Sequence, residues 1–515
     1  MVKHRRYTPP LNRNFSIIQQ GTVQLPLRNN LTENIRTVQA SLGNSSDLVK
    51  REVLIPAPFA VKGAILYMEG LIDDQLLNQF VLTSLLVDTP QNLPHNDGSP
   101  QQLLESIQRS ALTIGKVRSF TIHTKMVRYL LEGHAILLLD QCPKGLALSI
   151  ASTEFRAIEE PTNQVTIRGP RDSFTETITK NTVLIRRRLK DRHLRLEVLK
   201  VGHVSQTNVG LMYLTNIADK NIVTEIRDRL KAIQVDGILE SGNLEEFLLK
   251  DGYSPFPMIY NTERPDVVCA NLLEGKVAII VDGTPFVLIA PAYFIQFLQS
   301  AEDYYEHFDI TLFLRTLRYL SFFVAMLGPA IYIAITTFHQ EMLPTQLLLS
   351  LTTQREGIPF PAFVEALIME ITFEILREAG VRMPRPIGQA ISIVGALVIG
   401  QAAAQAGFVT PAMVIIVSIT ALSSFIIPAY NLAIAIRMLR FLMMVLAATL
   451  GYYGILIGLF GVLIHLCSLN PFGVPYLTSF APMDQEAQKD TIYRAPIWSR
   501  SLRPRHTAHK NPTRQ

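Results

Sequence analysis

From Ile387 to Ile436 the chain runs for 50 residues without one Asp, Glu, Lys or Arg. A helix of a water-soluble domain keeps a polar face toward solvent, so a stretch this long and this uniform belongs in a bilayer. About 20 apolar residues cross a bilayer as one helix, which gives two spans here, joined at "QAGFVTP". Tyr319 to Gln340 is a further uncharged run, with Pro329 inside it as an expected kink. After Arg437 and Arg440 the chain is uncharged again from Phe441 to Met483. We expect one span there to about Leu466, then a re-entrant or interfacial segment in "SLNPFGVPYLTSFAP", where prolines and a glycine break the helix.

The residues before Tyr319 read differently. Charges of both signs are mixed through them, and no apolar run of about 20 residues occurs. The N-terminal "MVKHRRYTPPLNRNF" is basic but leads into no apolar segment, so it is not a signal for export. Arg315 and Arg318 stand immediately before the first uncharged run, and the positive-inside tendency places that end in the cytoplasm. Cys142, Cys269 and Cys467 are widely spaced and form no CxxC, which argues against a disulfide framework and a zinc site.

Organisation follows from these shifts. Residues 1–51 are polar and basic with little periodicity, the pattern of a flexible arm. Residues 52–155 and 156–305 each mix strand and helix signals and read as two cytoplasmic α/β subdomains. In the first, "HAILLLD" and "GLALSIAS" flank "QCPKG" as a hairpin; in the second, "KVAIIVDGTPFVLIAP" turns at Asp282-Gly283. The run Leu184–Lys200 is basic, but its aliphatics alternate as in a solvated strand pair and no aromatic platform is interleaved, so nucleic acid is not an expected partner. Residues 306–482 form a helical membrane domain, and 483–515 a tail in which Lys and Arg outnumber acids seven to three from Asp484 onward, suited to anionic lipid. The fold class expected is thus an α/β soluble region of two subdomains followed by an all-α polytopic membrane domain.

One helix breaks the apolar pattern. "PFPAFVEALIMEITFEILREAGVRMPRP" is apolar enough to enter a membrane, yet it carries Glu365, Glu370, Glu374 and Glu378. At 100° per residue the last three lie within about 80° of one another, with Glu365 on nearly the other side. Arg377 can pair with Glu374 and Arg382 with Glu378, whereas Glu370 has no local partner. Two readings stand: an amphipathic helix with its acids in water, or a row of carboxylates lining a hydrated cation path. If this helix crosses there are five spans and the tail lies outside; if it does not, there are four and both termini are cytoplasmic, the arrangement we expect. Gly395, Gly400 and Gly407 in "GALVIGQAAAQAG" are candidates for close helix packing, and Pro329 and Pro344 for hinges. No nucleotide, hydrolase or metalloprotease motif and no metal-spaced cluster is present, so no catalytic residue, cofactor or metal is assigned.

The run Glu356 to Val417 strongly resembles the A subunits of GerA-type spore germination receptors. So do "YMEGLID", "IRGPRDSFTE", "NTVLIRRRL", "TERPDVV", "LLEGKVAIIVDGTPFVLIAP", "RFLMMVLAATLGYYGILIGL", "FGVPYLTSFAP" and "KDTIYRAPIW", together spanning about residues 55–505. Gln164, Ser173 and Asn470-Pro471 stand where that family usually has other residues. The resemblance implies a subunit in the spore inner membrane, a transporter-like B subunit that binds nutrient, and a lipoprotein C subunit. It also implies oligomerisation through this subunit and a nutrient-gated channel for monovalent cations. Glu365, Glu370, Glu374 and Glu378 then become the expected ion path, with a non-conducting scaffold as the alternative.

Overall fold

The computed structural model describes residues 25–55, 60–88, 100–108, 116–152, 160–161, 163–249, 253–382, 400–481, 483–500, 502–504, 506–508 and 510–514. The chain divides into two compact units. One comprises Met1–Ile158, Thr175–Val198 and Gly210–Thr215; the other comprises Glu159–Phe174, Leu199–Val209 and Asn216–Gln515.

The first unit is built on a five-stranded sheet of β1 (Leu48–Leu54), β2 (Lys62–Met68), β3 (Val117–Phe120), β4 (Ala135–Leu139) and β5 (Gly145–Leu148), in the order β1-β2-β4-β5-β3. All its pairings are antiparallel. Side chains alternate across a strand, and here both faces are covered. Ala64, Leu66, Met68, Ile136 and Leu138 enter one apolar cluster, while Ile65, Ala135, Leu137 and Leu139 enter another. That is why "AILLL" is apolar throughout instead of alternating. The first cluster is closed by α1 (Leu31–Ser41), which buries Leu31, Ile35 and Val38 at helical spacing. The second is closed by helical residues between Leu77 and Ile107, among them α2 (Pro100–Ser106), while α3 (His123–Leu131) adds Met126, Val127, Leu130 and Leu131 to the first.

Two expectations are corrected in this unit. The arm expected over 1–51 is folded from Leu25 onward, because the spacing of Leu31, Ile35, Val38 and Leu42 makes an apolar stripe within a polar sequence. Asn30 caps that helix, accepting from the Glu33 amide. The basic run Leu184–Lys200 is a helix end and a strand, not two strands: α4 (Ile178–Arg188) precedes β6 (Leu194–Val201). Asn181 sets the start of that helix by bonding the Thr175 amide and carbonyl. Arg186, 2% exposed, reaches Asp47 through Nε at 2.8 Å and Ser45 through Nη2 at 3.0 Å, so the most buried of these cations serves the core.

The second sheet has the order β6-β7-β9-β10-β8, with β7 (Thr207–Leu214), β8 (Tyr260–Thr262), β9 (Val277–Val281) and β10 (Val287–Ala290), and α5 (Lys220–Lys231) and α6 (Ser241–Leu248) stand between β7 and β8 in the chain. The β9–β10 hairpin turns where expected, with Gly283 at φ +93°. Gln164 and Ser173 both attach to Glu263: the Gln164 amide donates to its carboxylate and the Ser173 hydroxyl to its carbonyl.

The helical part of the second unit comprises α8 (Phe308–Thr337), α9 (Thr345–Arg355), α10 (Ala362–Arg382), α11 (Gly400–Gln405), α12 (Pro411–Phe425), α13 (Tyr430–Leu450) and α14 (Tyr452–Ser468). Among the described residues α8 and α13 are long and apolar enough to cross a membrane. Side-chain contacts fix the directions. Tyr332, late in α8, meets Thr410 at the start of α12, and Thr410 in turn meets Glu365 at the start of α10. Both α10 and α12 therefore run back against α8. Arg440 of α13 reaches the Ala325 carbonyl, and the end of α13 at Gly451 lies beside Phe338 and His339, so α13 runs parallel to α8. His465 in α14 meets Ser254 of the α/β region, so α14 runs back.

Three more expectations change here. The span expected over Phe441–Leu466 is broken at Gly451, whose φ of +61° lets the chain reverse between α13 and α14. Arg437 and Arg440 do not punctuate two spans; both lie inside α13. The Pro-rich segment after α14 packs on the α/β region instead of re-entering the bundle. Tyr476 is fully buried, donates to the Pro257 carbonyl at 2.7 Å and lies against Phe294 and Phe297; the Arg229 guanidinium sits 5.2 Å from the Phe472 ring. The described tail follows suit: Arg503 donates to the Leu273 carbonyl and Arg514 to Glu274, so these cations are used within the chain.

The tail and the α/β part of this unit thus share one end of the bundle. Cysteines placed at the exposed Tyr253 and Trp498, in a chain with Cys467 replaced by Ser, are expected to react with a membrane-impermeant maleimide from the same side of sealed vesicles. Labelling from opposite sides contradicts this arrangement.

Candidate functional site

The acids of α10 face arginines that are distant in sequence. Glu370 is fully buried and its Oε2 accepts from Arg440 Nη1, also buried, while Arg440 Nε donates to the Ala325 carbonyl of α8 at 2.7 Å. One turn further, Glu374 Oε2 accepts from Arg437 Nη1. The spacing explains the match: carboxylates four apart on α10 meet guanidiniums three apart on an antiparallel helix, each pair one turn from the next. Glu365 is buried and accepts from the Thr410 amide at 3.0 Å, with Arg355 Nε at 3.9 Å. That amide opens α12, so the carboxylate sits at a helix N-terminus where the dipole favours it.

The expected local pairings hold in part. Glu378 pairs with Arg382 and is exposed. Glu374 goes to Arg437 instead of Arg377, and Arg377 lies over the Phe425 ring, 4.8 Å from its centroid, and reaches Ser424. Glu365, Glu370 and Glu374 each keep Oε1 buried without a hydrogen-bond partner among the described residues. Pro329 is buried inside α8, and Pro344 caps the start of α9. Gly400 opens α11 and Gly407 ends it with φ +71°; Gly395 lies outside the described residues. The arginine partners were hidden because Arg437 and Arg440 look like the edge of a span. Their three-residue spacing, set against the four-residue spacing of Glu370 and Glu374, was the available signal.

A second charged knot sits at the root of α8. Asp303, fully buried, accepts from Arg315 Nε at 3.0 Å and Arg318 Nη1 at 2.7 Å, and its carboxylate also bonds the Ser300 amide in a capping box. Asp490 of the tail takes the other side of Arg315, at 3.2 Å to its carboxylate and 2.7 Å to its carbonyl. Arg500 and Tyr304 complete the shell around Asp490. Burial pushes the Asp490 carboxyl up, against the pull of Arg500 and Arg315, and burial likewise raises the Tyr304 hydroxyl. Arg315 and Arg318 are thus neutralised by acids and are not free charges at a membrane surface. Arg494 ties the same tail down, donating to the Glu306 carbonyl at 2.6 Å.

Two antiparallel α/β sheets followed by apolar helices that are cross-linked by buried ion pairs define a multi-helix membrane protein with a large α/β region. The profile of the Bacillus/Clostridium GerA spore germination proteins matches residues 36–506, and the chain belongs to that family. It is similar to Spore germination protein KA of Bacillus subtilis (strain 168), at 46% identity over 485 residues, 94% of this chain and 88% of that protein. It is 44% identical over 479 residues to the Uncharacterized membrane protein YfkQ of the same strain, covering 93% and 91% of the two chains. The crystal structure of the N-terminal domain of the A subunit of the Bacillus megaterium spore germinant receptor GerK3 is 40% identical and covers 53% of this chain and 99% of its own, with a TM-score of 0.42.

Removing one member of a buried pair leaves an uncompensated charge and costs about 3–5 kcal/mol, whereas replacing both by apolar residues is often neutral. Arg440 keeps its charge when Glu370 becomes Gln. Glu370→Gln is therefore expected to lower the thermal unfolding midpoint of the detergent-solubilised chain markedly, and Glu370→Leu with Arg440→Met together to restore most of it.

Proposed function

We propose that this chain is the A-type subunit of a nutrient germinant receptor in the spore inner membrane. Its α/β region lies in the cytoplasm, and it works with a transporter-like B subunit and a lipoprotein C subunit. Nutrient binding on the B subunit is converted by this subunit, as a homo-oligomer, into release of monovalent cations. Family membership and the relatives named for spore germination support the process.

The observation that carries the channel reading is the set of acids on α10. Glu365, Glu370 and Glu374 stand within a helical bundle, each with one buried carboxylate oxygen that accepts no hydrogen bond among the described residues. Such groups are costly away from water, and an oligomer axis beside α10 would give them water and ions. Its outward residues Ile368, Ile371 and Ile375, together with Leu347 and Leu349 of α9, are exposed apolar surface that lipid or a second copy would cover. In the closed state the guanidiniums of Arg440 and Arg437 balance the charges of Glu370 and Glu374. Movement of α10 against α13, with Pro329 and Pro344 as the compliant points, separates the pairs and turns the acids toward the path.

A second reading rests on the same pairs. Carboxylates neutralised by guanidiniums carry no net charge to select cations, and a scaffold that passes motion from the B subunit to other machinery needs only this packing. Flux separates the two. Liposomes holding this chain with its B and C partners are expected to release potassium on nutrient addition, and Glu374→Gln to reduce the preference for potassium over chloride several-fold. Release that needs a separate channel protein, or selectivity unchanged in Glu374→Gln at normal protein level, favours the scaffold.

A further inference from the structure

The second unit has a partly open cavity of about 530 Å³ between α7 (Pro265–Leu273), the segment Tyr293–Tyr305 and the C-terminal tail. This is within the usual size of a small-molecule site, and no part of the germination reading uses it. Its roof is the tail: Arg503 donates to the Leu273 carbonyl, Thr507 to the Glu274 carbonyl, and Arg514 pairs with Glu274. Gly275 makes this close approach possible. Its φ is +86°, and a Cβ there would stand 2.5 Å from the Thr507 carbonyl oxygen.

The charges on the wall are unevenly matched. Five acids line the wall: Asp266 is paired with Arg264, Glu274 with Arg514, Glu486 with Lys489 and Asp490 with Arg315 and Arg500, while Asp484 accepts from the Glu486 amide. Lys276 is 2% exposed and has no carboxylate within ion-pair distance among the described residues; its ammonium donates to Gln296 and lies 4.5 Å from the Tyr293 ring centroid. Among the described residues Arg503 donates to main-chain carbonyls, those of Leu273, Asn511 and Thr513. Among the described residues the Tyr293 hydroxyl, buried beside the Thr507 side chain, makes no hydrogen bond of normal geometry. A partly open cavity is thus bordered by a buried ammonium that, among the described residues, has no carboxylate at ion-pair distance, and by a buried hydroxyl with only the Thr507 side chain beside it among them; an acceptor offered to both is favourable.

We propose that this cavity is a binding site for a small organic anion, whose carboxylate or phosphate oxygens accept from Lys276 Nζ and the Tyr293 hydroxyl. Asp490 and Tyr304 line the same cavity and hold Arg315 at the root of α8. Occupancy therefore acts one side chain away from the first membrane helix, from the side that carries the α/β region. Burial lowers the Lys276 ammonium to about 8, with Glu274 and Asp490 opposing it. Below that pH the amine is charged and binds the anion; above it the ammonium is lost and affinity falls.

The test is thermal unfolding of the full chain in detergent, titrated at pH 7 with inorganic phosphate or with succinate against chloride at equal ionic strength. A ligand of the native state raises the midpoint as its concentration passes the dissociation constant. General salt effects act alike on variants, so the difference between wild type and Lys276→Gln isolates the site. We expect a saturable rise in the wild type, with Lys276→Gln weakening the apparent affinity at least tenfold and Tyr293→Phe, which removes one hydroxyl and retains the ring, weakening it several-fold. A rise with phosphate alone assigns a phosphorylated ligand, one with succinate alone a carboxylate. No rise beyond chloride, or equal rises in wild type and Tyr293→Phe where Lys276→Gln fails to fold, overturns the proposal. The readout needs no conductance, so it stands or falls separately from the channel reading.

Discussion

Arg315 has no exposed surface, and almost everything around it depends on where it is placed. It enters at the root of α8, where a helix leaves the α/β region for the apolar bundle, and a guanidinium there must be paired and fully bonded to be tolerated. Asp303 supplies one partner from the turn before α8, and Asp490 the other from a segment that follows α14. The two ends of the helical region are thereby clamped at one point. Arg318 shares Asp303, the Tyr319 hydroxyl reaches the Thr491 carbonyl, and Arg494 and Arg500 close around Tyr304, so the clamp is a network with few loose ends. Breaking any one of these contacts leaves a buried charge or carbonyl without its partner, so the network holds as a unit.

The bundle repeats the solution in drier surroundings. Arg440 bridges three helices, bonding Glu370 of α10 and the Ala325 carbonyl of α8 from its place on α13. Glu374 and Arg437 add a second rung. These pairs carry specificity more than net stability: they set the register of α10 on α13, because a slip of one turn strands a charge. In the function proposed, the same property makes them a latch. A helix held by two ion pairs can be released as a unit, and each release uncovers a carboxylate.

Sequence reasoning reached the α/β strands, the carboxylate helix and the family, because those features are local. "HAILLLD" and "GLALSIAS" read as a strand pair because the turn residues of "QCPKG" stand between two short apolar runs, and the β9–β10 turn follows from Asp282-Gly283. It misplaced elements whose signal depends on a distant partner. Residues 31–41 look like a polar arm until Leu31, Ile35 and Val38 are seen against the sheet. Arg437 and Arg440 look like the end of a span until Glu370 and Glu374 neutralise them. "FGVPYLTSFAP" looks interfacial until Tyr476 is found against Pro257, Phe294 and Phe297.

The sequence by itself determined that a long apolar helical region follows an α/β region, since 50 consecutive residues that are uncharged and mostly apolar have the length and character of two membrane helices, and that carboxylates lie on a helix within it. Tertiary structure alone decided which cation meets which acid, which end of the bundle the tail returns to, and that the tail roofs a cavity around Lys276. The physical reason is one of range. Helix and strand patterns are set by neighbours a few residues away, while the energy of a buried charge is set by whatever oxygen or nitrogen lies within about 4 Å of it. For Glu370 and Arg440 that partner stands 70 residues along the chain, and for Arg315 and Asp490 it stands 175.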